Sequence, residues 1–427
     1  MKTKKPSRVF SYILHQIYNE RRANWALLAE LLIVSCIVWY NVDSSYVMFM
    51  RSAEPLGFDQ TNCYNVGVSR LDADAVGYDP AHPVEPDITV ADKLALIDRI
   101  RHDEDIEAAA YSLRCDPYDG SSMFNRIHYD TLSTPVRILM CEPDMIKVFR
   151  YKSVDGRTPE QLAAVLKDRN ILLGGEVFGM SADSLSRLIG REMVIRSYDT
   201  LPRRLAGVIE PIKRFTWEEV KDTRVIMMPM INYVLEENDF MTPVISIRVK
   251  DSRAKGFEER FRQKIKGQKL RVGNYFVSDI NSYDRRQYDS ESSIRQETRN
   301  SVVIIVFLLV NVFLGLLGTF WFRTQHRFSE IGLQKVIGAT NTDITLRLLA
   351  EGVVLLTLAF LPSLLIDFGI GYHQLTDYYQ GETQGTGRFA VCAAITYALM
   401  LLIIGLGIWF PALRATKANP VEVLRGE

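Results

Sequence analysis

The stretch RTQHRFSEIGLQKVIGATNTDITLRLLAE, from Arg323 to Glu351, is a polar and basic loop between two long apolar segments, and it decides how the rest of the chain is organised. Within it, Leu333, Val336 and Ile337 recur at i, i+3 and i+4, which is the spacing of one helix face. This pattern predicts a short amphipathic helix over residues 327–337. Periodicity alone is equally consistent with an ordinary loop whose positive charge fixes membrane topology.

Two residue types mark the end of that helix and the start of the next one. Gly338 can adopt the left-handed conformation that commonly ends a helix. Asn341 or Thr342 can cap a second helix, because their side-chain oxygens accept hydrogen bonds from the first free backbone amides. The second helix is expected to continue directly into the apolar segment that follows.

Four apolar blocks surround the loop, each of about 20 residues, the length that a helix needs to cross a bilayer. They cover residues 25–42, 301–322, 352–370 and 389–410. Trp25, Trp321 and Trp409 lie at their ends, where interfacial aromatic residues are common. The first block could be a cleaved signal peptide, but it ends in Trp39-Tyr40-Asn41-Val42 and not in a small-residue cleavage site, so we expect an anchor. An α-helical membrane protein with four transmembrane helices is therefore predicted.

Basic residues set the expected orientation of these helices. Ahead of Trp25 there are six lysines and arginines against the single acid Glu20, which is the bias of a cytoplasmic flank. With the N-terminus inside, residues 43–300 and 371–388 lie outside, whereas residues 323–351 and the tail 411–427 lie inside. Residues 1–24 are expected to form an amphipathic helix in the inner interface. Its apolar stripe consists of Phe10, Ile13, Leu14, Ile17 and Tyr18.

Residues 43–300 are numerous enough to form their own core, and their patterns predict a large α+β domain between the first two transmembrane helices. Alternating apolar residues predict strands over 64–68, 106–113, 245–249 and 275–280, and helical spacing predicts helices over 90–100 and 257–265. These segments form two β-α-β units, with residues 154–232 predicted as an insert. The polar residues 288–299 are interpreted as a helical stalk continuous with the second transmembrane helix.

Several kinds of site lack support in the sequence. The 51 Lys+Arg residues balance 51 Asp+Glu residues, so no bulk attraction to nucleic acid is implied. The segment GGEVFGMS, from Gly174 to Ser181, has the glycine spacing of a phosphate-binding loop, but Met180 stands where the lysine is required. The six histidines lack metal-ligand spacing, so neither a metal nor a cofactor is predicted. Cys63, Cys115 and Cys141 could form one disulfide or remain three buried thiols.

Two carboxylates fall inside the predicted transmembrane helices. Glu30 lies one to two turns inside the first helix, and Asp367 lies near the outer end of the third. A charged group in a bilayer is costly, which makes a functional role the first hypothesis for both. Positions near helix ends let such side chains reach the interface, which favours a structural role. Proton coupling is not supported without a buried chain of such groups, and the role of the two carboxylates stays open.

The central loop and the C-terminus also resemble a known family. The run Glu330-Ile331-Gly332, followed by Lys335 and Gly338-Ala339-Thr340, with Ile344 and Glu351 downstream, is similar to the cytoplasmic loop of MacB/FtsX-type ABC transporter permeases. Two C-terminal runs are similar to that family's closing pattern, Pro411-Ala412-Leu413-Arg414-Ala415 and Asn419-Pro420-Val421-Glu422-Val423-Leu424-Arg425. One departure is Ser329, because the family often carries a basic residue just before the glutamate.

The resemblance implies a non-catalytic permease subunit whose coupling helix seats in a groove of a separate ABC ATPase. The residues that it makes candidates for ATPase coupling are Glu330, Ile331, Gly332, Lys335, Gly338 and Ala339. It further implies a bacterial inner membrane protein with cytoplasmic termini and a MacB-like periplasmic domain. The expected partners are the ATPase, a second identical or related permease, and the lipid bilayer, with a periplasmic adaptor as a further candidate and no nucleic acid.

The function that this resemblance implies is mechanotransmission, in which ATP hydrolysis by the partner changes the shape of the periplasmic domain, for export or efflux. One alternative within the family is a regulator that activates cell-wall hydrolases, as FtsX-like proteins do. Another alternative is a membrane-anchored sensor, against which stands the lack of a recognisable cytoplasmic signalling domain. The substrate cannot be inferred from the sequence.

Overall fold

The computed structural model contains four long apolar helices and an α+β domain built on one sheet. It describes residues 15, 17–113, 116–120, 123–195, 201–219, 223–229, 244–373 and 386–416. The chain divides into a helical unit, Met1–Met50 with Ile294–Glu427, and a mixed unit, Arg51–Ser293. The predicted amphipathic residues Phe10, Ile13 and Leu14, the run from Asn419 to Arg425, and Cys115 lie outside the described residues.

The α-helices follow one another through both units. In chain order they are α1 (Arg21–Ala53), α2 (Pro86–Arg101), α3 (Met145–Phe149), α4 (Pro159–Val165), α5 (Ala182–Ser186), α6 (Phe257–Lys266), α7 (Tyr283–Ser290), α8 (Ser292–His326), α9 (Phe328–Val336), α10 (Asn341–Tyr372) and α11 (Thr386–Ala415). Helices α1, α8, α10 and α11 are each long and apolar enough to cross a membrane. The prediction of four such helices is therefore confirmed. Each extends beyond the apolar block that predicted it, because polar residues at its ends continue the same helix.

The four long helices share one apolar core. Leu31, Phe320, Leu355 and Ile404 are among its fully or almost fully buried members, one from each helix. Gly352 allows α10 to approach α11 closely, since a Cβ atom at this position would lie 2.2 Å from Ile408 Cδ1. Small residues at such contacts are typical of helices that pack within a membrane.

The mixed unit is built on one sheet of strands. In chain order they are β1 (Cys63–Arg70), β2 (Ile106–Leu113), β3 (Met123–Tyr129), β4 (Leu132–Cys141), β5 (Asn170–Gly174), β6 (Glu192–Ile195), β7 (Arg203–Ile209), β8 (Val225–Pro229), β9 (Val244–Val249), β10 (Arg271–Val272) and β11 (Tyr275–Ser282). The strand order is β10-β11-β1-β9-β2-β4-β3-β6-β7-β5-β8, with an additional pairing of β4 with β8. A large α+β domain is therefore present, as the sequence predicts.

The two predicted β-α-β units interleave within this sheet. β1 pairs antiparallel with both β9 and β11, and β2 pairs antiparallel with β9. The order β11-β1-β9-β2 is that of a split β-α-β, or ferredoxin-like, arrangement. Leu96 of α2 and Phe261 of α6 are fully buried in the same core. The sequence predicts the units, but the interleaving depends on long-range pairing that periodicity does not encode.

The remaining strands form a closed ring. Going round it, β4 pairs with β3, β3 with β6, β6 with β7, β7 with β5, β5 with β8, and β8 with β4. The closing pair is parallel and places Ile138 opposite Ile226 and Leu139 opposite Met227. Closure leaves none of these strands with an open edge. Strands β5 to β8 fall within the predicted insert, residues 154–232, whereas β3 and β4 precede it.

The segment predicted as one stalk, residues 288–299, contains two helices. Helix α7 ends at Ser290, Glu291 leaves the helical conformation with ψ of 12°, and α8 begins at Ser292. The reason is the buried carboxylate of Glu291, which accepts hydrogen bonds from the backbone N and the Oγ1 of Thr216, both at 2.8 Å. These contacts hold the chain in a non-helical conformation at that point.

Candidate functional site

The loop between α8 and α10 contains the short helix that the sequence predicts. Helix α9 covers Phe328–Val336, and Gly338 then turns the chain with a φ of 102°. Thr340 caps α10, because its Oγ1 accepts from Asp343 N at 3.2 Å while Asp343 Oδ2 accepts from Thr340 N at 2.9 Å. This reciprocal pair is a capping box. The cap lies one residue before the predicted Asn341.

One face of α9 packs against the chain's own helices. Ile331 is 6% exposed and Gly332 is buried. Glu330 Oε1 accepts from Arg347 Nη2 at 3.3 Å, and Lys335 Nζ donates to the Thr416 carbonyl oxygen at 2.5 Å. Four of the six candidate coupling residues therefore contact other parts of the helical unit.

The last two candidate coupling residues lie at the end of the short helix. Gly338 is exposed, and a Cβ atom there would meet no other atom within 4 Å. Ala339 is half-buried and packs against the core of the helical unit. Glycine is favoured at 338 by the positive φ and not by crowding, since residues with a side chain adopt such a φ at a cost.

The opposite face of α9 is apolar and uncovered. Leu333 is 51% exposed, Val336 57% and Ile337 78%. These are the residues whose spacing predicts the amphipathic helix, and they point away from the core that such a pattern ordinarily covers. We call Leu333, Val336 and Ile337 the outer face of α9. The resemblance to known permeases did not single out these three residues.

Buried charges connect this loop to three of the long helices. Glu351 of α10 is 2% exposed and accepts from Arg323 Nη1 at 2.7 Å and from Arg327 Nη1 at 3.0 Å. Arg327 also bonds Glu20, and Arg323 of α8 bonds Asn24 of α1. We call this group the Glu351 cluster. Sequence reasoning used Arg323 only as a limit of the polar stretch and Glu351 also as part of the resemblance, and it predicted no pairing, although charged residues at the ends of apolar helices are candidates for such pairing.

A second ion pair lies at the other end of the helical unit. Asp43 of α1 is 1% exposed and accepts from Arg388 Nε of α11 at 2.8 Å. Nearby rings pack together, with centroids 5.4 Å apart for Trp39 and Phe389 and 5.6 Å apart for Phe389 and Phe368. Sequence reasoning missed Asp43, because it placed this residue beyond the end of the first transmembrane helix.

The two predicted intramembrane carboxylates have different surroundings. Glu30 is half-buried on α1 and packs against α8, where a Cβ atom on Gly315 would lie 3.0 Å from Glu30 Oε1. Asp367 is completely buried on α10. The two residues are therefore not brought together.

In the mixed unit, one short loop contacts both segments that lead to long helices. Lys213 is completely buried, and its Nζ lies 2.7 Å from the Arg51 carbonyl oxygen and 2.7 Å from Glu54 Oε2. Arg51 in turn donates to the Trp217 carbonyl oxygen and to Glu219, both at 3.3 Å. Thr216 of the same loop holds Glu291. The loop 213–219 thus binds the end of α1 and the residue that precedes α8.

The glycine-rich segment of the mixed unit has a structural explanation. Gly174 ends β5, and Gly175 has a φ of 80°, with the Thr223 carbonyl oxygen 2.5 Å from where a Cβ would be. The glycines therefore serve a tight turn against a neighbouring segment. Among the described residues no group of three or more His, Cys, Asp or Glu side chains is placed to hold a metal ion.

The described cysteines of the mixed unit are free thiols. Cys63 and Cys141 are both buried and unbonded to one another. Burial raises the pKa of the Cys63 thiol to about 12 and also raises the pKa of Cys141. Neither thiol is therefore a reactive thiolate near neutral pH.

Asp116 is a strongly buried acid of the mixed unit. Its Oδ2 lies 2.7 Å from Arg286 Nη2. Burial raises its pKa to about 6 in spite of the opposing effect of that guanidinium. Desolvation is thus the larger effect here.

Comparisons with known proteins match both parts of the chain. Residues 302–420 match the family model described as FtsX-like permease C-terminal. The macrolide export ATP-binding/permease protein MacB of Bdellovibrio bacteriovorus is 27% identical over 235 residues, which are 52% of this chain and 34% of that protein. The MacB of Chlorobium luteolum is 33% identical over 113 residues, which are 26% of this chain and 16% of that protein. The chain thus spans about a third or less of the length of these curated relatives.

Two solved structures overlap with about half of the chain. One is the extracellular domain of the ABC-type transporter YknZ from Gram-positive bacteria, with 13% identity, a TM-score of 0.28, and coverage of 50% of this chain and 100% of that domain. The other is the periplasmic region of MacB from Actinobacillus actinomycetemcomitans, with 10% identity, a TM-score of 0.31, and coverage of 56% and 97%. The assignment to a family rests on the sequence matches.

Proposed function

Since the chain is a permease of the MacB/FtsX type and a multi-pass membrane protein, we propose that it couples ATP hydrolysis on a partner ATPase to movement of its mixed unit. The observation that carries this proposal is the outer face of α9. Three large apolar side chains on a nine-residue helix are left uncovered in a loop between two long helices. An amphipathic helix with such a face fits a hydrophobic groove of a partner protein.

The geometry of α8 supports transmission from this helix. Helix α8 is continuous over 35 residues, from Ser292 to His326, and only Arg327 separates it from α9. At about 1.5 Å per residue it is roughly 50 Å long, which exceeds the roughly 30 Å of hydrocarbon in a bilayer. A displacement of α9 would therefore move a single helix that continues beyond the membrane.

The inward-facing residues of α9 connect it to two other long helices. Glu330 holds Arg347 of α10, and Lys335 holds the end of α11 through Thr416. Docking on the outer face of α9 would thus displace α8, α10 and α11 together. In this proposal Glu330, Ile331, Gly332 and Lys335 position α9, Gly338 and Ala339 shape its end, and Leu333, Val336 and Ile337 touch the ATPase.

The remaining features of the proposal follow the resemblance. We place the protein in a bacterial inner membrane with both termini and α9 on the cytoplasmic side and the mixed unit in the periplasm, as the basic N-terminal flank favours. A second permease copy or a related permease completes the complex, and export is the proposed direction. The relatives named above are ATP-binding/permease proteins, and we place the ATP-binding function of the proposed complex on a partner chain.

A photo-crosslinking experiment tests the docking of α9. The photoreactive amino acid benzoyl-phenylalanine replaces Val336 or Ile337 in the full chain, expressed in its native host. We expect irradiation to yield adducts with a protein that binds an ATP analogue. Benzoyl-phenylalanine at Lys335 is the matched control, because it lies on the same helix but contacts Thr416, and it should yield little or none of this adduct.

A substitution at one of the same positions gives a second test of the docking of α9. Val336→Asp should lower copurification of the ATP-binding partner, because a carboxylate would be desolvated in an apolar groove. Lack of an ATP-binding adduct from both Val336 and Ile337, or equal yield from Lys335, would show that α9 does not dock in this way.

A further inference from the structure

The end of the helical unit away from α9 contains buried polar side chains from three long helices. Each is no more than 1% exposed, and together they are Ser35, Trp39 and Asp43 of α1, Ser363 and Asp367 of α10, and Cys392 and Thr396 of α11. On each helix they are spaced by four residues, so they share one face. The contacts of Trp39 with Phe389 and of Phe389 with Phe368 place the three helices together at this level.

Most of these side chains have partners within the helices. Ser363 Oγ donates to the Phe360 carbonyl oxygen at 2.8 Å, and Thr396 Oγ1 donates to the Cys392 carbonyl oxygen at 2.9 Å. Asp43 is paired with Arg388. Three groups remain without a hydrogen-bond partner among the described residues: Ser35 Oγ, Trp39 Nε1 and both oxygens of Asp367. Ser35 Oγ and Trp39 Nε1 are hydrogen-bond donors, whereas Asp367 is a carboxyl group.

Asp367 is the exceptional member of this group. Its titratable neighbour on α1 is Cys36, whose thiol is only a weak hydrogen-bond donor. The nearest arginine in this part of α11, Arg388, is engaged by Asp43. The other titratable groups at this level are Asp43 itself and the Cys392 thiol, and α8 has no charged residue between Asn300 and Arg323. A carboxylate anion at Asp367 would therefore be buried without a cation from the part of the chain that the structure describes.

Two buried acids of the same helical unit thus differ in one respect. Asp43 has a guanidinium within hydrogen-bond distance and can carry its charge, whereas Asp367 has none. Burying an unpaired charge costs several kcal/mol, and a carboxyl group in such a place takes up a proton. In a membrane interior the same cost is borne by any unpaired acid.

We propose that Asp367 is a proton-binding site, a neutral carboxylic acid held between α1 and α10 whose ionisation opens the packing of these helices. The ligand is a proton, taken up from water when the acid forms and released to water when it ionises. A neutral acid presents one donor and one acceptor, which a water molecule can join to Trp39 Nε1 or Ser35 Oγ. This inference does not depend on the proposed coupling to an ATPase.

Two measurements on the full chain in lipid nanodiscs test the proposal. Infrared spectroscopy of protein carrying ¹³C-labelled aspartate should show the C=O band of a protonated carboxyl group at pH 7, and Asp367→Asn should remove that band. Thermal unfolding followed by tryptophan fluorescence should give Asp367→Asn the wild-type midpoint at pH 5. At pH 9 the variant should have the higher midpoint, because the wild type must then ionise a buried acid.

Asp43→Asn is the matched control, since it neutralises a buried acid that has a cation. It should lower the midpoint at both pH values, because it leaves Arg388 without its partner. An Asp367→Asn variant that is destabilised at pH 5 as much as Asp43→Asn would show that Asp367 is a paired carboxylate. If the variant does not fold, absence of the protonated C=O band from the wild type at pH 7 would still overturn the assignment. Retention of the infrared band in Asp367→Asn would equally overturn the assignment.

Discussion

Glu351→Gln should destabilise the helical unit severely, because the Glu351 carboxylate pairs with two arginines in a buried cluster. The side chain is 3% exposed, and its two oxygens accept from Arg323 at 2.7 Å and from Arg327 at 3.0 Å. Glutamine keeps the size but removes the charge, and its amide nitrogen would face a guanidinium. Removing one partner of a buried ion pair typically costs about 3–5 kcal/mol.

That cost can be compared with a salt bridge in the same loop. Glu330 pairs with Arg347 at 3.3 Å, but its side chain is 42% exposed. Exposed pairs contribute about 1 kcal/mol or less, so Glu330→Gln is the matched control. For a unit of this size, about 3–5 kcal/mol corresponds to a fall of roughly 6–20 °C in the unfolding midpoint, and about 1 kcal/mol to roughly 2–4 °C.

The assay is thermal unfolding of the full chain in detergent micelles, followed by tryptophan fluorescence, for both variants and the wild type. A third variant, with Arg323, Arg327 and Glu351 all replaced by methionine, should recover much of the loss, because apolar replacement of a buried ion cluster is often tolerated. Equal midpoints for Glu351→Gln and Glu330→Gln would refute the reasoning, since the cluster would then be no more than a solvated surface contact.

Two further substitutions test other features of the structure. Gly352→Ala should destabilise the helical unit by about 1–3 kcal/mol, because its Cβ would lie 2.2 Å from Ile408 Cδ1. The control is Gly369→Ala, which should be neutral or slightly stabilising because no atom lies within 4 Å of its Cβ. Equal thermal midpoints for the two variants would contradict close packing of α10 on α11. The folded-state pKa of Asp116, about 6, lies above its ordinary value of 3.8, so its contribution to stability is present below about pH 4 and is lost as pH rises towards 6. Asp116→Asn should abolish that loss, of order 3 kcal/mol, and parallel pH profiles of midpoint for variant and wild type would show that Asp116 does not titrate in this range.

The helical elements were predictable because their determinants are local. The apolar blocks, the glycine at 338 and the capping residues near 340 each act within a few residues of the chain. The sequence therefore predicts both ends of α9 and the start of α10 to within one residue. Local patterns also predict the strands and helices of the two β-α-β units, although α2 begins at Pro86, four residues before its predicted start. What local pattern could not supply was pairing across the sequence, such as the parallel contact of β4 with β8 that closes the ring.

The candidate site shows the same division between local and distant determinants. Spacing identified the apolar residues of α9, but not that they face away from the core, since the side on which a helix packs depends on distant partners such as Arg347 and Thr416. The Glu351 cluster escaped notice for the same reason, because Glu20 and Arg327 are 307 positions apart in the chain. Burial of Asp367 also depends on α1 and α11, so its position on α10 alone left its role open.

Helix α1 offers a physical reason why these contacts belong to one mechanism. Within α1, Asn24 contacts Arg323 of the Glu351 cluster and Asp43 contacts Arg388, and Glu20, just before the helix, contacts Arg327. Separating one of these contacts would leave a buried charge unpaired, which is costly, so α1 is expected to stay in register with its partners at these points. Under the proposed coupling, a displacement of α9 would therefore reach α1 through Arg327 and Glu20 as well as α8.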